Sequence, residues 1–508
     1  MSFFFLYLAQ PPRQVPECAY FFLLPCFIWF HFEPRIGKVL PVIVLSGWIY
    51  NLFLVGWMRH VSPSGMVLST FLMSLYHLSW FLVAWKWIPL ATRGSFVTRL
   101  WIIVGLSSLW VLLEWLRCQF TLGFPWCPLS VTQWERPALL QLVPVLGGWS
   151  VSFFLVTFNA CLASYLHHLL VRRYKADKGY LKSFCPDFYF CLILFLIMLS
   201  PFWIKLGQSE EKTSKVLSVG VCQPYLKNKW QGEMVNFHKD KLSRQTRFAA
   251  LLEPDLIVWP EASTPYALNL DRAWVEKLAT EIDTPMLVGA VIKEDEATYN
   301  SVCRVTPEGG LSPEWYCKRV LVPFGEYVPF PFSFFSDFRR LVGPVGNFEE
   351  GDTVSLHDIS SKTSNSTFKI GSLICYEDIF PSLARDTALA GAELIFVATN
   401  DAWFGEEGCA EQHAAHSVFR ALETGRPILR CGNAGLSGWI DPMGRLWDIL
   451  TDQSGSVYFE GVKVVPIQIS ASSETYYLKY GDYFVIFCLV ALIFASIYIL
   501  KRLKKPII

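Results

Sequence analysis

The chain predicts an α-helical transmembrane bundle joined to an α/β extramembrane domain, and three observations carry that prediction. Of its 508 residues 53% are hydrophobic and only 17% charged, too apolar for an ordinary soluble chain. Apolar runs crowd the first 206 residues and one recurs at Tyr483–Leu500, several near the roughly 20 residues that a membrane-spanning helix needs. Between them, over about residues 212–475, the chain turns polar and short β-branched runs alternate with helix-like segments, the pattern of strands covered by helices.

The expected spans are Ala19–His31, Val39–Met58, Gly65–Leu90, Leu100–Leu116, Leu140–Leu169, Phe188–Leu206 and Tyr483–Leu500. Met1–Ala9 is apolar but too short to cross alone, and it lacks the basic start and small-residue cleavage site of a signal peptide. Counted as a partial first helix, it brings the expected total to eight. Arg172, Arg173, Lys175, Lys178 and Lys182 precede the span at Phe188, and Lys501, Arg502, Lys504 and Lys505 follow the last one. Both clusters are predicted to be cytoplasmic, which puts the polar domain on the opposite side. The expected organisation is membrane helices over 1–211, a catalytic domain over 212–475, and a helix with a basic tail over 476–508.

Within the polar domain, strands are predicted at Val216–Cys222, Leu256–Trp259, Met286–Val291, Lys369–Cys375, Leu394–Thr399 and Ile428–Cys431. Helices are predicted at Glu233–Leu252, Arg272–Glu281, Pro381–Ala390 and Ala410–Glu423, the last stopped by Gly425 and Pro427. A formal net charge of +1 argues against a nucleic-acid partner. Fourteen cysteines without C-x-x-C spacing indicate neither a zinc ribbon nor a disulfide framework.

Three residues at strand ends suggest chemistry. Cys375 closes the apolar run from Phe368, Glu261 closes Asp255-Leu-Ile-Val-Trp-Pro-Glu261, and Lys318 follows Trp315-Tyr-Cys. A cysteine is only a few per cent thiolate at neutral pH and needs a base or a cation beside it. Glu261 can take the proton, while Lys318 can stabilise the thiolate and then the oxyanion of a tetrahedral intermediate. That combination supports acyl transfer through a thioester and requires no metal or organic cofactor. His413 and His416 share a predicted helix, but with no His-Glu-x-x-His pattern they read as packed or polar surface residues, and no metal site is expected. Arg420 and Glu423 on that helix suggest pairing along one face.

The phrases around these residues resemble the carbon–nitrogen hydrolase (nitrilase) superfamily and, more closely, the apolipoprotein N-acyltransferases. They are Trp259-Pro-Glu261, Lys318 with Val322-Pro-Phe-Gly-Glu326-Tyr-Val-Pro329, Ile374-Cys375-Tyr376-Glu377 and Asn400-Asp-Ala-Trp-Phe-Gly405. The membrane half adds Glu114-Trp-Leu-Arg117 and Gly123-Phe-Pro-Trp126. The resemblance implies a nitrilase-like αββα sandwich with Cys375 as nucleophile, Glu261 as general base, Lys318 as oxyanion partner and Glu326 as the supporting glutamate. It implies substrate-binding roles for Tyr376 and Glu377 beside the nucleophile and for Trp230 at the substrate entrance. Where relatives have Gln-Gly-Asn or Gln-Gly-Asp ahead of that tryptophan, this chain reads Gly220-Val-Cys-Gln-Pro224. Trp126 is a further substrate-binding candidate, with an interfacial anchor as the alternative.

The implied reaction moves an acyl chain from a phospholipid to the α-amino group of an apolipoprotein's diacylglyceryl-cysteine, at the periplasmic face of a bacterial inner membrane. A membrane-tethered amidase is the alternative. Phe330, Phe332, Phe334, Phe335 and Phe338, with Arg339 and Arg340, form either an apolar cover over the site or part of the domain's own core.

Overall fold

A computed structural model describes the chain except residues 120–123, 175–185, 207–213, 227–233, 329, 331–345, 363, 365, 471–473 and 504–508. Two compact units emerge: one combines Met1–Gly56, Met66–Ser209 and Asp482–Ile508, the other Trp57–Gly65 and Glu210–Gly481.

The first unit opens with two short helices, α1 (Ser2–Ala9) and α2 (Leu24–His31). Longer ones follow: α3 (Ile36–Leu54), α4 (Pro63–Arg93) and α5 (Phe96–Gln119), then, after the single turn α6 (Val143–Leu146), α7 (Trp149–Tyr174) and α8 (Pro186–Leu206). The unit ends with the C-terminal helix Tyr483–Leu503. Among the described residues, five helices are long and apolar enough to cross a membrane by length and composition, and Pro186–Ser200 is a shorter apolar stretch. This corrects two of the expected spans, Met1–Ala9 and Ala19–His31, which form only the short α1 and α2. At 1.5 Å rise per residue, α1 and α2 each reach about 12 Å, far short of a hydrocarbon core of about 30 Å. Proline explains the shortness: the segment after α1 carries Pro11, Pro12 and Pro16, and α2 starts with Pro25 in its first turn. The run expected from Leu140 likewise becomes helical as a span only at Trp149, after Gly147 takes a left-handed φ of 76°.

The C-terminal helix packs on α5 and α7 through Val111, Trp149, Phe484, Val485 and Cys488. Asp482 at its start accepts from the indoles of Trp115 and Trp149, each at 3.0 Å. Gly105 allows the close approach, since a Cβ there would stand 2.8 Å from that of Ala495.

The second unit holds two six-stranded mixed sheets. The first runs through β1 (Ser214–Gln223), β2 (Leu256–Trp259), β3 (Met286–Glu294), β4 (Ala297–Thr306) and β5 (Gly310–Cys317). The second runs through β6 (Leu356–Ser360), β7 (Thr367–Ile374), β8 (Leu394–Thr399), β9 (Ile428–Gly432), β10 (Gly438–Ile440) and β11 (Leu446–Trp447). β12 (Gly461–Ser470) returns to the first, giving the orders β12-β1-β2-β3-β4-β5 and β11-β10-β9-β8-β7-β6. Pairing is parallel at the centre, β1–β2–β3 and β7–β8–β9, and antiparallel at the flanks. Every residue of β2 and β8 is buried, as central parallel strands require.

One hydrophobic cluster draws on both sheets, joining Leu256, Val258 and Leu287 to Phe368, Ile374 and Phe396. The alternate residues of the first sheet, including Ile257, Trp259 and Val288, join a second cluster with α9 (Val235–Ala250) and α10 (Ala273–Ile282). On the second sheet, α11 (Pro381–Leu389) and α12 (Cys409–Thr424) connect the parallel strands. The period-2 alternation thus gives each face of the first sheet its own apolar partner.

Candidate active site

Glu261, Lys318 and Cys375 follow the C-terminal ends of β2, β5 and β7, the end at which α/β sheets commonly build ligand sites. Lys318 is almost fully buried, and its Nζ lies 2.9 Å from Glu326 Oε1 and 3.4 Å from Glu261 Oε1. Asn300 on β4 ties the two carboxylates together, donating to Glu261 Oε1 at 2.7 Å and to Glu326 Oε1 at 3.1 Å. Its own carbonyl accepts from the Lys318 backbone N–H at 2.8 Å. Burial works against the charge on Lys318, but Glu326 and Glu261 outweigh it and hold the ammonium above its ordinary value. The site therefore keeps a fixed cation between two acids.

Cys375 takes a left-handed φ of 49°, a conformation that costs a non-glycine residue about 1–3 kcal/mol and recurs at functional sites. It leaves β7 and opens a short 3₁₀ turn, Cys375–Ile379. Burial and then the charge of Glu261 push its thiol well above the ordinary value, offset only in part by Lys318. The sulfur rests as a thiol. Attack on an acyl carbon therefore needs a base to remove the proton, a sharper requirement than the sequence suggested.

Glu377 and Tyr376, expected as substrate contacts, are both buried. Glu377 is fully buried and accepts from the N–H groups of Ile374 at 2.7 Å, Arg319 at 2.6 Å and Val320 at 3.2 Å, and from the Tyr316 hydroxyl at 2.8 Å. Burial holds its carboxyl above the usual range against those donors. It braces the turn bearing Cys375 against the segment bearing Lys318. Tyr376 is buried too, edge-on to Phe380 at 5.1 Å between ring centroids. Trp126 lies buried in the membrane unit, with its carbonyl accepting from Arg117 at 3.4 Å and its ring stacked on Phe124. Glu114 fixes the same segment by accepting from Leu129 N–H at 2.7 Å and the Trp110 indole at 2.8 Å. Trp230 lies outside the described residues, as do Phe332, Phe334, Phe335, Phe338, Arg339 and Arg340, while Phe330 is exposed.

The sequence reading missed a buried polar cluster behind the nucleophile. His413 and His416, expected as packed or surface residues, are both buried. His413 Nδ1 is 2.8 Å from Asp401 Oδ1, and its Nε2 is 2.9 Å from Asp378 Oδ1 and 3.0 Å from the Cys375 carbonyl. Cys375, Asp401 and His413 offer donor atoms within 4.8 Å of one another, a spread that suits a cation, but both ring nitrogens already face carboxylates. Arg420 does pair with Glu423, at 2.8 Å, and that pair is buried.

Burial opposes charge on His413, but Asp378 and Asp401 outweigh it against the pull of Arg430, and its pKa rises to about 9. A raised value in the folded state means stability that is complete below 6.5, the ordinary histidine value, and lost as pH climbs through about 9. Thermal melting should show the midpoint of the unmodified chain falling across that interval by more than that of His413→Gln. Parallel profiles would contradict the charged assignment.

Gly289 on β3 supplies the remaining constraint. A Cβ there would stand 2.2 Å from the Pro260 carbonyl oxygen and 2.9 Å from Glu261 Cα, with backbone on the opposing side that cannot yield. Gly289→Ala should displace Glu261 and cut turnover by about 100-fold, the scale expected of a misplacement near 1 Å, with a smaller loss of thermal stability. Unchanged turnover would show that Glu261 does not need this placement.

An acid–ammonium–acid row and a cysteine on a strained turn, on two mixed sheets, in a chain with membrane-length helices, fit a membrane enzyme of the carbon–nitrogen hydrolase type. Residues 219–466 match the family described as carbon-nitrogen hydrolase, and residues 3–161 the apolipoprotein N-acyltransferase N-terminal domain. An apolipoprotein N-acyltransferase of Allorhizobium ampelinum is 31% identical over 400 residues, 76% of this chain and 71% of that one. Apolipoprotein N-acyltransferase 2 of Treponema denticola is 28% identical over 423 residues, 78% of this chain and 77% of the relative. Among solved structures, an amidase from Nesterenkonia sp. aligns with 16% identity and a TM-score of 0.39, covering 52% of this chain and 92% of the amidase. The chain belongs to the apolipoprotein N-acyltransferase family. It is a multi-pass membrane protein with a nitrilase-superfamily catalytic domain.

Proposed function

We propose that this enzyme transfers a fatty acyl chain from a phospholipid to the α-amino group of a diacylglyceryl-cysteine at the N-terminus of an apolipoprotein, through a thioester on Cys375. Lys318 paired with both Glu326 and Glu261, in a site that also holds Cys375 on its left-handed turn, is the observation that carries this reading. Glu261 removes the thiol proton as sulfur bonds to the acyl carbon, and Lys318 stabilises the oxyanion. The ester C–O bond then breaks, and the lysophospholipid leaves with the proton from Glu261. In the second half the amine attacks the thioester, its proton passes through Glu261, the C–S bond breaks, and the thiol is restored. Glu326 holds Lys318 in place. No step calls on a metal or organic cofactor.

The two sheets sharing one apolar cluster, flanked by helices, support an αββα sandwich as the scaffold. The basic clusters at Arg172–Lys182 and Lys501–Lys505 support a cytoplasmic position for those segments, hence a periplasmic catalytic domain on a bacterial inner membrane. In this reading Trp230 and the aromatic stretch from Phe330 onward are the candidates for lipid contact. Incubation with acyl-labelled phospholipid vesicles and a diacylated lipopeptide tests the reaction. N-acylated peptide with lysophospholipid is expected, and labelled free fatty acid without acylated peptide would replace the transferase by a hydrolase.

A further inference from the structure

Resting on Cys375 as the acylated thiol, we infer that His413 is a positioning residue for the nucleophile: its doubly donating ring holds the Cys375 carbonyl and so fixes the left-handed turn that presents the sulfur. Three observations converge on it. First, the ring is 1% exposed, and both its nitrogens point at oxygen: Asp401 Oδ1 on one side, Asp378 Oδ1 and the Cys375 carbonyl on the other. A neutral imidazole has one N–H and could serve only one side, so the arrangement calls for the imidazolium, which donates from both. Second, the two acids are themselves anchored. Asp378 accepts from Ser417 Oγ at 2.5 Å and from Arg430 Nη1, which also donates to Ser417 Oγ at 2.7 Å. Asp401 accepts from Thr399 Oγ1 at 3.3 Å, and its backbone N–H donates to the Ala434 carbonyl at 3.2 Å. The ring is therefore held by β8, β9 and the Cys375–Ile379 turn as well as by its own helix α12.

Third, the group it reaches is the backbone of the nucleophile. Cys375 sits at φ 49°, and a strained residue persists only where its surroundings over-determine it. Glu377 pins the Leu373–Ile374 peptide, at the end of β7, through Ile374 N–H, and His413 pins the peptide that follows the nucleophile. Cys375 is thus held between an anchored strand end and an anchored carbonyl, which restricts the direction of its Cα–Cβ bond. Base chemistry by His413 on the sulfur does not fit, because a ring already protonated between two carboxylates has no site to accept a proton.

A buried cation needed only for folding predicts a different experiment. Full-length chain in detergent is compared with His413→Gln, which keeps one side-chain donor, and with the double variant His413→Ala, Asp401→Asn, which removes the cation together with one carboxylate. Two rates are read by peptide mass spectrometry at Cys375 in folded protein: alkylation by iodoacetamide, and single-turnover acylation from vesicles of phosphatidylethanolamine and phosphatidylglycerol. In the double variant both should fall by about 10- to 100-fold with the lipid KM unchanged, and His413→Gln should recover most of the loss. Wild-type rates in the folded double variant would overturn the inference, as would equal impairment in both variants, which would leave only a structural cation. If the double variant does not fold, wild-type rates in folded His413→Gln with a loss in folded His413→Asn, whose amide is too short to reach the Cys375 carbonyl, support the inference, and equal rates in the two overturn it. Alkylation of wild-type Cys375 without any acyl adduct would sink the thioester reading, while the alkylation comparison would still decide the role of His413.

Discussion

Cys375→Ala is expected to abolish N-acylation of a diacylated lipopeptide and to leave the folded chain intact. The loss follows from the chemistry: without the sulfur at this position no covalent acyl intermediate forms. Fold retention follows from packing, since Cys375 lies against the shared cluster rather than within it and the turn remains braced by Glu377 and His413. Activity in a lipoprotein-acylation assay with purified variant checks the first half, and a thermal melt the second. Residual turnover above about a thousandth of wild type would move the nucleophile elsewhere.

The second large effect belongs to the base and its cation, which should fail in different ways. Glu261→Gln keeps the shape and the contact with Asn300 but cannot take a proton. Because burial and Glu261's own charge hold the thiol protonated, loss of the base should slow thioester formation by about 10²–10⁴-fold. The same substitution relieves a charge that raises the thiol, so the alkaline limb of iodoacetamide alkylation at Cys375 should shift to lower pH. That opposite movement separates loss of a proton acceptor from general damage. Lys318→Met should cost as much in rate and also destabilise the fold by about 3–5 kcal/mol, because Glu261 and Glu326 would be left facing each other with their shared cation gone. An inactive but fully stable Lys318→Met would show that the pair is solvated, contrary to its burial.

The legible part of this chain was what burial writes into composition. β2 and β8 fall where short apolar runs predicted them, with every residue buried, and α12 ends where Gly425 and Pro427 stop it. The flanking antiparallel strands β4, β5, β6, β10, β11 and β12 went unpredicted. β5 carries Ser312, Pro313 and Glu314 on a half-exposed edge, and β6 reads Leu-His-Asp-Ile-Ser. Edge strands such as β5 and β6 need only one apolar face, so no β-branched run marks them, whereas β12, Gly-Val-Lys-Val-Val-Pro-Ile-Gln-Ile-Ser, does carry one and was overlooked. The membrane unit erred in the other direction, because hydropathy counts apolar residues and is blind to the prolines and Gly147 that break the helices.

At the proposed site, Glu261, Lys318 and Cys375 were singled out in the sequence because each ends a strand on a chemically active side chain. Asn300, Asp378, Asp401 and His413 were not, since each acts through distant partners. Asn300 sits in the middle of β4, and Asp378 and His413 are 35 residues apart with nothing in their spacing to pair them. Buried polar character could have hinted at His413, whose helix is buried at every residue but Glu411. Glu377 was singled out through the resemblance, as a residue beside the nucleophile; that its oxygens accept from Ile374, Arg319, Val320 and Tyr316 could not be read from the sequence.

Mass spectrometry of the intact chain after exposure to phospholipid vesicles, without any peptide acceptor, tests the central claim most directly. A single acyl adduct is expected on the peptide containing Cys375, labile to hydroxylamine as a thioester is, and discharged when a diacylated lipopeptide is added. An adduct on a different residue, or none under conditions that yield acylated lipopeptide, would contradict a covalent route through this sulfur.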